Sequence, residues 1–555
     1  MNIYFSGIGG VGIGPLAEIA FDAGYTIQGS DTTESALTKA LRERGVALSL
    51  EQNGEFLQEC YDRTPIDWFV HTAALPADHP ELLLAKRLGI KTAKRDELLA
   101  RIIEEKKLKL IAVAGTHGKN TTTGMLVWAL NQLDIPISYS VGTTLSFGPS
   151  GRFDPHSKYF VYECDEYDRN FLHFHPLVSI ITSLDYDHPD SYPTKEAYLQ
   201  AFSKFTQQSD VTVMWQHDNH EIEVSSEEGW LLQDHEILDI TLPGLHNRQN
   251  ATLAAKVIEY LQLAGHEKTV AVLEKFPGTS RRFEKLAEGL YSDYGHHPVE
   301  IAATLQLARE VSDHVILVYQ PHQNIRQHEI RGSYTDCFEL AEEVYWLPTY
   351  LTREDPGLPV LSPADLSKNI TNKEAVTVAD LNEDLWDSIQ RARDEGKLVL
   401  CMGAGTIDSW IREQLNKPAV VSILVVDKKG NFVMQKRDNI PGITNPDMVT
   451  GFGGHVDPDD TTLRRAATRE LHEETNLSFS SDDLRYFKTY RKTVATHHED
   501  SYVTFYLLSG VLTEDLEVYE GQGFEIVTPH DNLDALLLSP LARHVLTEYK
   551  QLHGN

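Results

Sequence analysis

The stretch from Ala112 to Thr123, AVAGTHGKNTTT, constrains this chain more than any other. An apolar, strand-like run, KLKLIAV, leads into it, and TGMLVWALNQL, with helical spacing, follows. A strand, a glycine turn and a helix start direct backbone N–H groups and the positive end of a helix dipole at one point, which makes a cradle for phosphate. Gly115, Thr116, Gly118 and Thr121 shape that cradle, and Lys119 is placed to reach the terminal phosphates of a nucleotide. The residue after the lysine ordinarily supplies a hydroxyl to magnesium. Here it is Asn120, whose amide oxygen can ligate a hard cation or hold a metal-bound water in the same place.

A chain of 555 residues is too long for one core, so three to four domains are expected. The start, IYFSGIGGVGIGPLAEIAFDAGY, is again a strand, a glycine turn and a helix, and TIQGSD, IDWFVHTAAL and LGIKTAKRDELLARII continue the alternation. Such alternation predicts an α/β fold with parallel sheets covered by helices. The charged run at 104–109, FPGTSRRFEK at 276–285 and NKP at 416–418 divide the chain into 1–105, 106–277, 278–416 and 417–555. The last part changes character: AVVSILVVDKKGNFVMQKR reads as a β-hairpin turning at Lys-Gly-Asn. The short joint at 416–418, flanked by complete folding units, predicts two sites that work independently.

The excess of 82 acidic over 50 basic residues gives a net charge of −32, which disfavours nucleic acid as a partner. Anionic substrates must then be held by local donors and metal. No apolar run reaches the roughly 18 residues of a membrane helix. The N-terminus has no basic leader, and Cys60, Cys164, Cys337 and Cys401 are scattered, as expected of reduced thiols in a cytoplasmic protein.

Gly7, Gly9, Gly10 and Gly12 after a strand, with Asp31 about 20 residues on, form a dinucleotide-type fingerprint. An oxidoreductase would need a hydride-transfer site as well, and the sequence offers none. A second nucleotide site in the same chain suits a ligase that uses two phosphorylated substrates. In the second unit Glu163, in VYECDEYD, and His188, in LDYDHPDSY, stand at strand ends, where parallel neighbours bring them to the phosphate loop.

The phosphate loop, ECDEYD, DYDHPDSY, LPGLHNRQNA, FPGTSRRFE, DYGHHPVEIAATL and MGAG occur in the order of the Mur ligase family, ATP-dependent amide ligases of peptidoglycan synthesis, which residues 1 to about 416 resemble. GIGGVGI, GSD, QPH and DYGHHP are most similar to the branch that joins L-alanine to UDP-N-acetylmuramate. DEYD is also similar to the branch that attaches a recycled tripeptide. The resemblance implies a Rossmann-like domain for the UDP substrate, with Gly9, Gly10, Gly12 and Asp31, then a central P-loop ATPase domain and a Rossmann-like third domain. It implies that Lys119 binds ATP and that Asn120, Glu163 and His188 serve Mg2+. His246, Asn247 and Asn250 would contact the adenine side, and Arg282 and Asp293 would close over the nucleotide. His296, His322 and Arg326 would line the amino-acid side. The sequence departs from the expected pattern at Asn120, at Ser183 where an Asn is expected, and at Gln323 where the alanine-adding branch usually has arginine; Val113 stands where a strict G-x-x-x-x-G-K motif has glycine, though the spacing Ala112-x-x-Gly115-x-x-Gly118-Lys119 suits this family.

Residues 453–477, GGHVDPDDTTLRRAATRELHEETNL, predict a helix from Leu463 to Leu477. Glu470, Glu473 and Glu474 then fall at i, i+3 and i+4 and share one face, where like charges repel. Nothing in the sequence of that face neutralises them, so a divalent cation is the natural partner. This segment resembles the Nudix box of Mg2+-dependent hydrolases that cleave nucleoside diphosphate derivatives, within an α/β/α fold. The resemblance implies Glu473 and Glu474 as magnesium ligands, Glu470 as ligand or proton acceptor, Arg469 as a brace and Glu520 as an outer ligand. The segment departs from the pattern in an Asp460 for Glu, one extra residue before Arg469, and Asn476 for glycine. The reading is thus a bifunctional ligase and hydrolase; its rivals are a ligase of the tripeptide-recycling type, and a regulatory protein in which one or both sites bind nucleotide without turnover.

Overall fold

The computed structural model describes residues 1–553 apart from 11, 73–74, 189–190, 225–228, 353 and 494–499, and gives only the backbone of 493. The motifs GIGGVGI and DYDHPDSY therefore include positions, 11 and 189–190, outside the described residues. Two compact units form, Met1–Arg282 and Phe283–Asn555.

The first unit begins with five parallel strands in the order Ala47–Ser49, Thr26–Ser30, Asn2–Ser6, Trp68–His71, Lys91–Ala93. The edge strand Ala47–Ser49 carries too few residues for a period, and the sequence reading did not find it. A seven-stranded sheet follows, ordered Gly229–Leu232, Val211–Trp215, Val178–Ile181, Lys109–Ala114, Tyr159–Glu163, Ile137–Ser140, Gly151–Arg152, with only the last pair antiparallel. The central strand Lys109–Ala114 is buried on both faces, as in any parallel sheet between helices. Leu110, Ala112 and Ala114 share a core with Ala17, Leu98, Ile102 and Phe202. Ile111 and Val113 pack instead with Leu126, Leu130, Ala254 and Ile258 of two helices, Lys119–Gln132 and Leu245–Tyr260.

The second unit holds two six-stranded sheets. In one, Leu290–Asp293, Leu398–Met402, Val315–Tyr319, Glu343–Trp346 and Val376–Val378 run parallel, with Glu284–Ala287 antiparallel at the edge. In the other, the long strands Ala419–Asp427 and Asp500–Val511 are parallel neighbours within an otherwise antiparallel sheet. Alternation along Ala419–Asp427 sets a helix on each face. Val421, Ile423 and Val425 pack on Ala466, Ala467 and Leu471 of Leu463–Glu474, while Leu424 and Val426 pack towards Ala542, Val545 and Leu546 of Pro540–His553. Period-2 burial under two helices is what makes this an α/β/α layer.

Residues 416–418 are not a free hinge. Tyr502, from the last sheet, lies in the core that contains Trp386, Ile389 and Ile411 of the preceding domain, and its hydroxyl bonds Gln414. The Trp386 and Tyr502 rings are 5.6 Å apart. The sequence shows a short linker; it does not show that apolar side chains on both sides of it face each other. No helix among the described residues is long and apolar enough to cross a membrane.

Candidate functional site

The strand Lys109–Ala114 ends in the glycine turn and the helix Lys119–Gln132 begins just after Gly118. Gly118 has φ +84°, and a Cβ there would lie 2.8 Å from Asn250 Oδ1, so only glycine fits against that buried amide. Both strands flanking Lys109–Ala114 are parallel to it, which brings the segments after Glu163 and Ile181 to the loop. Ser183, at the position that departs from the family pattern, accepts from His117 N through Oγ at 2.9 Å and from Thr116 N through its carbonyl at 3.0 Å. Thr116 Oγ1 reaches the Asp185 carbonyl at 2.7 Å, and Thr121 is buried in the first helical turn.

Lys119 Nζ donates to Glu166 Oε1 at 2.9 Å and to the Thr116 carbonyl at 3.3 Å. His188 Nε2 lies 3.3 Å from the same Glu166 oxygen. Glu166 is thus a buried junction between lysine and histidine, 1% exposed, and the sequence reading quoted it in ECDEYD without giving it a role. Burial alone would lower the Lys119 ammonium, but the carboxylates of Glu166, Asp165 and Glu163 outweigh it and hold it above its ordinary value. Burial alone would raise Glu166, and Lys119 and His188 overcome this to hold it low. Burial would lower His188, and its bond to Glu166 raises it instead. Glu163 accepts from Gly142 N at 3.0 Å; burial holds its carboxyl above the usual range despite Lys119. His188 adopts φ +60°, a left-handed conformation rare for a non-glycine residue. Asn120 Oδ1 is 3.5 Å from Arg282 Nη2. Asn250 lies one turn along the helix that His246 and Asn247 open, and Asn247 bonds the Pro243 carbonyl at 2.9 Å.

In the first sheet, Gly9 N donates to Asp31 Oδ2 at 2.8 Å and Gly10 N to the Gly7 carbonyl at 3.1 Å, with Gly12 exposed beyond them. Asp31 therefore closes onto the glycine turn itself. In the second unit, Asp293 is buried and accepts from Phe283 N at 2.8 Å and Gly295 N at 2.7 Å. His296 and Arg326 are bonded side chain to side chain, and the His296 and His322 rings are 5.4 Å apart. Those three residues come together. Gln323 has φ +59° and turns its side-chain amide to the Thr352 carbonyl, 3.4 Å away.

The acidic helix spans Leu463–Glu474, three residues shorter than expected, because Thr475 turns extended. Contrary to the expectation from sequence, its face is not without a cation: Arg469 Nη1 donates to Glu470 at 2.9 Å and Glu473 at 3.1 Å. The same guanidinium reaches Asp460 Oδ2 at 2.8 Å and the His455 carbonyl at 3.0 Å. Hydrogen bonds from Arg469 hold Asp460 below the usual range. Glu474 accepts from Gly453 N at 2.7 Å and Gln435 Nε2 at 2.9 Å, and burial pushes its carboxyl up to about 7. Burial also raises Glu470. A cavity of about 580 Å³ opens here, with Arg437, Lys492, Glu470, Glu474 and Glu520 in its wall. Asn476 explains its own departure: its side chain bonds the Asp515 carbonyl at 2.7 Å and Glu517 N at 3.0 Å, which fastens the segment bearing Glu520 to the helix end.

Four helix-flanked sheets, a glycine loop that opens the helix at Lys119 and a helix bearing Glu470, Glu473 and Glu474 give the architecture of a P-loop enzyme followed by an α/β/α unit with an acidic helix. Family profiles agree. The Mur ligase family catalytic domain matches residues 2–107, the Mur ligase middle domain 113–231, the Mur ligase glutamate ligase domain 281–405, and the NUDIX domain 416–549. UDP-N-acetylmuramate–L-alanine ligase of Azorhizobium caulinodans is 30% identical over 458 residues, which cover 74% of this chain and 96% of that one. Its counterpart in a Bradyrhizobium species is 32% identical over 460 residues, with the same coverage. In fold, the chain is similar to the UDP-N-acetylmuramate–alanine ligase of Thermotoga maritima, with a TM-score of 0.56 at 23% identity over 74% of this chain and 98% of that one. A murein peptide ligase from Psychrobacter arcticus gives a TM-score of 0.50 at 22% identity, over 75% and 98%. The chain belongs to the Mur ligase family and carries a NUDIX domain after its three ligase domains. It is a bifunctional enzyme, an ATP-dependent ligase and a hydrolase that works with a divalent cation.

Proposed function

We propose that the ligase part joins L-alanine to the carboxylate of UDP-N-acetylmuramate in the cytoplasm, and that the NUDIX part hydrolyses a nucleoside diphosphate derivative with Mg2+. The observation that carries the ligase reading is the Lys119–Glu166–His188 junction beside Glu163, in a chain whose relatives are L-alanine ligases by name.

The substrate carboxylate attacks the γ-phosphorus of ATP, ADP leaves, and an acyl phosphate results. The amine then attacks its carbonyl through a tetrahedral intermediate, loses a proton, and expels phosphate. No protein nucleophile is needed. Lys119, which rests on Glu166 and loop carbonyls, swings to the γ-phosphate and offsets charge that develops in transfer. Asn120, Glu163 and His188 would hold a divalent cation, which supplies further charge neutralisation. Glu166 Oε2, buried and without a partner among the described residues, and the raised Glu163 carboxyl are the spare acceptors such a site requires. Gly9, Gly10, Gly12 and Asp31 would bind the UDP end, and His296, His322 and Arg326 the amino acid. At the second site Glu470, Glu473 and Glu474 would hold the cation, with Glu520 outside them, and Arg437 and Lys492 are the cations available to phosphates.

The test is phosphate release from ATP and Mg2+ with UDP-N-acetylmuramate and each amino acid in turn. Release with L-alanine supports the reading; silence with every amino acid, while ATP still binds, leaves a binding protein. Gln323 favours a second reading, a short peptide in place of alanine, because a neutral amide cannot fork a free carboxylate as arginine does. Release with a tripeptide alone would decide for it.

A further inference from the structure

The end of the ligase part and the NUDIX helix meet at one buried carboxylate. Asp394 is the last residue of the ligase helix Glu383–Asp394, and its side chain is 5% exposed. An acidic residue is disfavoured at the negative end of a helix dipole, so Asp394 does nothing for its own helix there. It serves the other domain. Arg464 Nε donates to Asp394 Oδ1 at 3.1 Å, Arg464 Nη2 bonds Oδ2, and the Tyr506 hydroxyl donates to Oδ1 at 2.8 Å. Burial and the Asp394 charge keep that phenol protonated, and so a donor. Two turns earlier along the ligase helix, Asp387 accepts from the Tyr486 hydroxyl and Thr489 N, both at 2.7 Å.

Arg464 is the second residue of the helix that carries Glu470, Glu473 and Glu474. The far end of that helix is fixed within the NUDIX domain, through Glu474 to Gly453 and Gln435 and through Tyr519 N to the Glu474 carbonyl. Its buried residues are Ala466, Ala467, Leu471 and Glu474, with Leu463 packed beside them. The loop before it, which is one residue longer than the Nudix pattern, hangs from Arg469 through Asp460 and the His455 carbonyl. The start of that loop is also tied to the strand Ala419–Asp427, with Val456 N donating to the Ala419 carbonyl at 3.1 Å, whereas Asp457 and Asp460 face Arg469. The near end of the helix is capped by Thr462 and packed through Leu463, and its charged anchor is Arg464, which bonds the Ser481 carbonyl at 3.3 Å and, through two nitrogens, the ligase carboxylate Asp394.

We propose that Asp394 is a positioning residue for the NUDIX site, and that the hydrolase is complete only when docked on the third ligase domain. The proposal rests on the reading of Glu470, Glu473 and Glu474 as the cation face. A helix rises about 1.5 Å per residue as a stiff rod, so a displacement of its first turn is carried along the axis to the carboxylates at its other end. Loss of the Asp394 anchor is therefore felt as cation affinity.

The experiment is a titration of the full chain with Mn2+ alone, without nucleotide, alongside melting temperature. Glu473→Gln identifies the share of Mn2+ binding that belongs to the NUDIX face. Asp394→Asn, near-isosteric, is expected to weaken that share by about threefold to thirtyfold, the range of coupling through a packed element. Arg464→Gln should weaken it equally, and the double variant no further than either single one, because both break the same link. Should Asp394→Asn or Arg464→Gln lose Mn2+ affinity only as far as the fold is lost, Tyr506→Phe, which removes one bond to Asp394, should still weaken binding in a chain that melts as a folded protein. Unchanged Mn2+ affinity in folded Asp394→Asn, whatever its melting temperature, overturns the proposal and leaves Asp394 a structural contact. Wild-type Mn2+ binding that Glu473→Gln does not touch removes the reading beneath it, and the proposal with it.

Discussion

Lys119 and Glu166 form a buried ion pair, 2.9 Å from Nζ to Oε1, at the mouth of the phosphate loop. Glu166→Gln takes from the ammonium its directly bonded counter-charge and leaves it only the weaker pull of Asp165 and Glu163, in a site where both side chains are nearly shut from water. Breaking such a pair costs about 3 kcal/mol, so a clear fall in melting temperature is expected in metal-free protein. Glu163 behaves oppositely, since burial raises its carboxyl and Gly142 N can bond an amide as well. Glu163→Gln is expected to hold or raise the melting temperature while ATP-driven phosphate release falls. A lower melting temperature for Glu163→Gln than for Glu166→Gln would reverse this ranking.

The same junction fixes a pH dependence. Glu166 is depressed below its ordinary 4.5, so its contribution is present above 4.5 and is lost as pH falls through the depressed value. His188 is raised above its ordinary 6.5, so its contribution is full below 6.5 and is lost as pH rises through the raised value. The stability gap between wild type and Glu166→Gln should be widest between pH 4.5 and 6.5. It should narrow on the alkaline side without vanishing, because Lys119 keeps its charge. Denaturant unfolding across pH measures the gap; a gap that keeps growing above pH 7 contradicts the His188 share.

Much of this was legible in the sequence because it depends on local pattern. Gly115 to Thr121, the spacing of Glu470, Glu473 and Glu474, and the strands that carry Glu163 and Asp31 follow from glycine turns and from helical and strand periods. What was not legible depends on meeting across the fold. Glu166 sits in a quoted motif, yet its bonds to Lys119 and His188 span segments far apart in sequence. Asp394 reads as a solvated helix end until Arg464 is brought against it. Asn476 reads as a defect in a pattern until its amide is seen to hold the Glu520 segment.

If Glu474, whose carboxyl burial pushes up to about 7, is a cation ligand as proposed, cation binding at the NUDIX site depends on pH. A cation must displace its proton, so Mn2+ affinity should rise with pH to about 7 and then level, with proton release on binding at pH 6. In metal-free protein the sign is unfavourable to the charged form, so this residue removes stability as pH climbs from 4.5 towards 7. Isothermal titration in buffers of different ionisation enthalpy counts the protons; none released at pH 6 would place Glu474 outside the cation site.

At Gln323, replacement by arginine supplies a charged fork where the side-chain amide now donates to the Thr352 carbonyl. A charged hydrogen bond contributes about 1.5–3 kcal/mol, so Gln323→Arg should lower the KM for L-alanine about tenfold or more. Steady-state kinetics decide it. An unchanged or higher KM means that another group grips the carboxylate, or that a peptide is the substrate.

The central claim is that an acyl phosphate links ATP to the new amide bond. UDP-N-acetylmuramate carrying heavy oxygen in its carboxylate, incubated with ATP, Mg2+ and L-alanine, tests it by mass analysis of the phosphate released. One heavy oxygen in each phosphate, phosphate equal to amide product, and neither in Lys119→Ala are the expected results. Phosphate without the label, or release that proceeds without amide product, would contradict it.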